Sequence, residues 1–135
     1  MVGAVIITHG SLGQSLIDAA TGIAGGIENV KAVPVMSADA TDGLRDALKA
    51  AVSGVNTGNG VIIFTDMFGG TPTNIALSLL DEKSVEVLTG VNLPIVLKFL
   101  SHRNDKPLKD LAAQLKSYGQ ESIVRATEML KEKKG

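Results

Sequence analysis

The sequence contains no cysteine and no tryptophan, and only one tyrosine and three phenylalanines. Without thiols there is no disulfide framework, no thiolate zinc or iron–sulfur site and no cysteine nucleophile, so any chemistry must run on oxygen or imidazole. An aromatic fraction of 3% also withholds the stacking platforms that single-stranded nucleic-acid binders use. Neither sign of charge dominates: 13 Lys and Arg against 14 Asp and Glu give a net charge of −1. No electrostatic footprint for nucleic acid or for an anionic membrane follows from that balance, and neither partner is expected. No stretch approaches the roughly 18 unbroken apolar residues of a spanning helix. The chain opens Met1-Val2-Gly3 with no basic region before a short apolar run, so no leader or membrane insertion is expected and a cytoplasmic location is.

What is present is aliphatic. Hydrophobic residues make up 44% of 135 residues, enough chain to bury the core of one domain and too little for two. Glycine is in excess, at 15 residues, and it gathers where apolar runs end, which places turns there. Residues 2–7 form a β-branched run that reads as a strand, and Leu12, Leu16, Ile17, Ala20 and Ile23 then follow at helical spacing until Gly25-Gly26. Residues 30–35 give a second strand. A helix from about Thr41 carries Leu44, Leu48, Ala51, Val52 and Val55 on one side. Residues 61–64, apolar on both faces, read as a central parallel strand. Thr71-Pro72 is a helix start, with Ile75, Leu77, Leu79 and Leu80 beyond it. Residues 85–88 are a fourth strand, and helices follow over 93–100 and from about 108 to 118. Residues 123–130 favour helix locally, although Ile123-Val124 also suits a short strand.

Strands alternating with helices predict a single α/β domain over residues 1–130, a doubly wound, mostly parallel sheet with helices on both faces. Residues 131–135 read as a frayed tail. In the strand order 2-1-3-4, ligands bind beyond the carboxyl ends of strands 1 and 3, where the winding reverses. His9 follows the first strand and Asp66 the third, so an imidazole and a carboxylate are expected to meet there. A carboxylate on Nδ1–H fixes the tautomer and leaves Nε2 outward and basic, able to attack phosphorus. No cation lies near either loop, so the helix starts at Gly10-Ser11 and Gly69-Gly70-Thr71 are the expected phosphate ligands, with hydroxyls from Thr8, Ser11 and Thr71. His102, beside Arg103, reads as a solvated loop residue. Met67 and Phe68 either cover core or form a docking surface.

Three stretches, Ile7-Thr8-His9-Gly10, Thr65-Asp66-Met67-Phe68-Gly69-Gly70-Thr71-Pro72-Thr73-Asn74 and Thr89-Gly90-Val91-Asn92-Leu93-Pro94, together resemble the enzyme IIA component of the mannose-type family of the bacterial phosphoenolpyruvate-dependent sugar phosphotransferase system. The likeness runs from about residue 2 to about 130. It implies a phosphotransferase in which His9 accepts a phosphoryl group from the phosphocarrier HPr and passes it to an enzyme IIB, without cofactor or metal. It assigns Asp66 to the other ring nitrogen and Thr71 to a phosphate-facing hydroxyl. Ser11 stands where the family often has a large aromatic, and Phe68 where it often has Trp. The resemblance further implies a homodimer in which residues 123–127 form a C-terminal edge strand crossing to the other subunit, and a IIB partner on a separate polypeptide. Three alternatives remain on the residues alone. A receiver domain would use Asp66 with Thr89, but lacks acidic metal ligands after the first strand. A histidine phosphatase would want Arg where Thr8 stands. A regulatory phosphorylation sensor or a silent binding module would keep the fold.

Overall fold

Apolar residues two apart on each strand decide where the helices go. The computed structural model describes residues 1–37, 40–80 and 83–134. The elements run β1 (Gly3–His9), α1 (Leu12–Ala24), β2 (Val30–Val35), α2 (Thr41–Val55), β3 (Val61–Thr65), α3 (Gly70–Leu77), β4 (Val85–Leu88), α4 (Leu93–His102), α5 (Leu108–Glu121) and α6 (Ala126–Lys134). The strands pair in parallel in the order β2-β1-β3-β4, so the winding reverses between β1 and β3 as expected. Val5 and Ile7 of β1 face a layer formed with Ile63, Leu48, Val55 and Ile75. Ala4 and Ile6, one residue out of phase, face Phe64, Phe99, Leu111 and Leu115 on the other side. This period of two on a strand buried on both faces is what a central parallel strand requires.

The two layers differ in what crosses them. On the α1, α4 and α5 side, Phe64 and Phe99 meet edge to face with ring centroids 5.6 Å apart at 81°, a geometry that contributes roughly 0.5–1.5 kcal/mol beyond area burial. On the same side α1 lies unusually close to β1, because a Cβ on Gly13 would stand 2.9 Å from the Ile6 carbonyl oxygen. That close approach positions the start of α1 under the end of β1. Edge strand β2 accommodates Pro34 opposite Thr8, an outer position where no ladder bond is lost.

Two expectations change. The helix after Thr71-Pro72 is shorter than its apolar pattern, ending at Leu77 and tightening into successive three-residue turns at Ser78, Leu79 and Leu80. The C-terminal edge strand expected over residues 123–127 is not part of this chain's sheet, which has four strands among the described residues. Residues 123–125 are irregular and α6 begins at Ala126. A strand exists only with a neighbour to bond, and Ile123 and Val124 are exposed at 81% and 54%. Lys131 to Lys134 continue α6, while Gly135, the end of the expected tail, lies outside the described residues.

Candidate functional site

The end of β1 and the end of β3 meet at the reversal. His9 closes β1, half-exposed, and its Nδ1 lies 2.8 Å from Asp66 Oδ2. The same carboxylate oxygen accepts the His9 backbone N–H at 3.0 Å. The other oxygen, Oδ1, accepts the Met67 N–H at 3.1 Å. Asp66 therefore grips one residue at two points and is itself held by the next residue in the loop. Burial alone would raise its carboxyl pKa, but the bonds from the His9 ring and backbone, with the nearby imidazole charge, hold it below the ordinary carboxylate value. The carboxylate is thus ionised wherever the chain is folded near neutral pH. With Nδ1–H donated inward, the lone pair of the neutral ring is on Nε2.

Gly70 lies against that ring. With φ at +83°, a conformation glycine adopts freely, it carries the loop past the imidazole so closely that a Cβ would be 3.3 Å from Cε1 and 3.5 Å from Nε2. The first residue of α3 is thereby beside the free nitrogen. Its N-cap is Gly69, at φ +96° and with no side-chain capping bond. The first amides of a helix have no intrahelical acceptor and concentrate the positive end of its dipole. Thr71 is exposed on the same turn. Across the site Ser11 occupies the N-cap of α1, exposed and without a side-chain capping bond. No Lys or Arg occurs over residues 1–30 or 50–82, so neither loop brings a cation.

Two of the expected phosphate ligands are otherwise engaged. Thr8 is fully buried, and its Oγ1 accepts the Gly13 N–H at 2.9 Å, capping α1 from below. The alternation of β1 carries the signal, since Thr8 shares the inward face of Ala4 and Ile6. The Gly10 N–H donates to the Val35 carbonyl at 3.0 Å, which extends the sheet rather than facing a ligand. Met67 and Phe68 are exposed at 54% and 78%, so they lie on the surface rather than over core. Leu12, at the start of α1, and Met36, just after β2, are each about half exposed, further apolar side chains at the carboxyl end of the sheet. His102 lies at the far end of α4, with Nδ1 3.6 Å from Asp105 Oδ2, away from the site. Sequence reasoning passed over Thr65 and Thr73, two buried hydroxyls beneath the loop. Their only signal was a polar residue at the end of an apolar strand and another eight residues on.

The family model described as the PTS system fructose IIA component matches residues 3–116. The fructose-specific EIIA component of the phosphotransferase system of Bacillus subtilis is 33% identical over 99% of this chain and 92% of its own length. The mannose-specific EIIAB component of Escherichia coli is 31% identical over 90% of this chain, which spans only 38% of that longer protein. Among solved structures, the phosphotransferase system component EIIA of Streptococcus agalactiae superposes with a TM-score of 0.86 at 23% identity, over 95% of this chain and 99% of that one. At that identity the structural likeness speaks for the fold alone.

Proposed function

The chain belongs to the mannose-type family of EIIA components of the sugar phosphotransferase system, and from that premise we propose that His9 is the residue that carries the phosphoryl group. The observation that carries this reading is the 2.8 Å contact of His9 Nδ1 with Asp66 on a ring whose side chain is half-exposed. The Nε2 lone pair forms the new P–N bond in line with the P–N bond of the donor's phosphohistidine. As that bond breaks, its electron pair returns to the donor's ring nitrogen. The Nδ1 proton stays in its bond to Asp66, whose negative charge stabilises the ring as positive character develops on it. Transfer onward is the same displacement with the roles reversed. Among the expected phosphate ligands, Ser11, Thr71 and the Gly69-Gly70 backbone remain available; Thr8 and Gly10 serve the fold. Dipoles and hydroxyls without a fixed cation suit a group that is held briefly and then released.

The donor in this reading is HPr and the acceptor an enzyme IIB on a separate polypeptide. The exposed apolar side chains Leu12, Met36, Met67 and Phe68 at the carboxyl end of the sheet support protein partners rather than a small substrate. A homodimer completes the proposal. The open edge of β4 borders a groove of about 500 Å³ lined by Phe68, Leu77, Leu80 and Ile123, and Ile123-Val124 stands ready to pair with a partner's strand. The receiver alternative is less favoured, because no cluster of three or more acidic or histidine side chains that could hold its metal ion occurs among the described residues. Incubation with phosphoenolpyruvate, enzyme I and HPr should yield an acid-labile, alkali-stable phosphoprotein, and His9→Ala should abolish it. A phosphorylated His9→Ala protein would overturn the proposal.

A further inference from the structure

Beneath the catalytic loop lies a buried pair of hydroxyls whose bonds converge on a single backbone carbonyl. Thr65, the last residue of β3, and Thr73, on the first turn of α3, are 0% and 1% exposed. Their Oγ1 atoms are 2.9 Å apart. Thr73 also reaches the Met67 carbonyl oxygen, and Thr65 approaches the same oxygen at 3.4 Å. Each hydroxyl has one proton, and the closer approach of Thr73 to the carbonyl favours the arrangement in which the Thr65 hydroxyl donates to Thr73 Oγ1 and the Thr73 hydroxyl donates to the Met67 carbonyl. Met67 is also the residue whose N–H donates to Asp66 Oδ1. Its backbone is therefore held from below through the carbonyl while it holds the carboxylate through the amide. Fixing Oδ1 in this way turns Oδ2 toward His9, where it meets both the ring and the backbone N–H.

We propose that Thr65 and Thr73 are positioning residues for phosphoryl transfer, a hydroxyl relay that sets the orientation of the Asp66 carboxylate and through it the tautomer of His9. The inference rests on His9 as the phosphoryl carrier and adds the device that keeps that ring ready. Geometry favours the role over simple packing. Either threonine could be replaced by valine with the same shape in an apolar setting, yet both present hydroxyls, and both hydroxyls lead to the one carbonyl next to the catalytic carboxylate. The loop spans only four residues between β3 and α3: Asp66 is polar, Gly69 has no side chain, and Met67 and Phe68 are exposed. Nothing apolar anchors the loop from within, so hydrogen bonds do.

The test replaces the hydroxyl and keeps the volume. Thr73→Val and Thr65→Val are compared with the wild type and with Thr73→Ser, using 15N chemical shifts of the His9 imidazole and the initial rate of phosphoryl acceptance from phospho-HPr. The imidazole spectrum of the wild type should show a single Nδ1–H tautomer, and Thr73→Val should shift it toward a mixture. Acceptance in Thr73→Val should fall about tenfold, within the ~10²-fold that a misplacement of about 1 Å can cost, while Thr73→Ser keeps both the rate and the spectrum. Thr65→Val should show the same change in smaller degree, since Thr73 still reaches Met67. Wild-type rate and spectrum in Thr73→Val would overturn the relay, and so would equal impairment in Thr73→Ser and Thr73→Val, which would mark a packing role. Were the wild type itself not phosphorylated, the carrier reading would fail; the tautomer measurement would still decide the relay.

Discussion

The two ends of the sheet each bring a polar side chain in among apolar ones, and they treat its hydrogen-bonding capacity in opposite ways. At the amino end Arg103 is 5% exposed. Its guanidinium donates to the carbonyls of Val2, Glu28 and Asn29 at 2.9, 2.8 and 3.2 Å and lies over the Phe99 ring. Its own backbone carbonyl accepts the Val2 N–H. All three of its nitrogens are engaged, stitching α4 to the start of β1 and the turn before β2. Burial lowers the guanidinium pKa, but arginine remains charged at any physiological pH. At the carboxyl end His9 gives one nitrogen to Asp66 and keeps the other at the surface. A polar group with every nitrogen engaged stabilises; one with a ring nitrogen left at the surface is equipped to react.

That contrast predicts a separation of phenotypes. Asp66→Ala should lower phosphoryl acceptance from phospho-HPr by roughly 10²-fold or more, the usual scale for losing a positioned acid–base partner, while circular dichroism reports the same fold. Wild-type transfer rates would sink the tautomer role. The same variant carries a pH signature. The folded Asp66 carboxyl lies below its ordinary value, so its contribution to stability is full above the unfolded carboxyl pKa of ~3.9 and is lost as pH falls through the lower, folded value. Denaturant unfolding of wild type and variant should therefore differ at about pH 5 and converge on further acidification.

Arg103→Ala should do the converse. Hydrogen bonds to a charged group are typically worth about 1.5–3 kcal/mol, and carbonyls left without a donor add to the loss. A destabilisation of about 2–3 kcal/mol in urea unfolding is the expected outcome, with the phosphoryl acceptance rate per folded molecule unchanged. A fall in that rate as large as in Asp66→Ala would mean that the two ends are coupled and that the contrast is false.

Much of this is legible in the sequence. The strands and helices follow from short-range signals: β-branched runs, glycines at their ends, and the Thr71-Pro72 helix start. Each depends on neighbours a few residues away. The meeting of His9 with Asp66 needs in addition the order 2-1-3-4, taken from the doubly wound architecture. Less legible were features that depend on direction or on a partner. Thr8 and Ser11 both carry hydroxyls near His9, yet strand alternation turns Thr8 inward to cap α1 while Ser11 stays out. Thr65 and Thr73 are eight residues apart and touch only because α3 folds back over the end of β3. The resemblance implies a strand over residues 123–127, whereas Ile123 and Val124 lie exposed in the short break between α5 and α6, and helix begins at Ala126.

The smallest expected effect is the sharpest test of the carboxyl end, because it alters no functional group at all. Gly70→Ala adds one methyl at a backbone φ of +83°, where an L-residue costs about 1–2 kcal/mol. Half of the consequence is therefore ordinary strain, visible as a loss of about 1–2 kcal/mol in thermal or urea unfolding. The other half is local: the methyl would stand 3.3 Å from His9 Cε1, so either the ring or the start of α3 must give way by a few tenths of an ångström. If Nε2 and the first amides of α3 act together on the phosphoryl group, acceptance should slow by several-fold beyond what the fraction unfolded explains. Gly58→Ala is the control. Gly58 also has a left-handed φ, +111°, with open space where its Cβ would be, and it belongs to the turn before β3 at the opposite end. It should show a comparable stability loss and no change in rate. Equal rates in the two variants would mean that the closeness of Gly70 to His9 has no part in the chemistry.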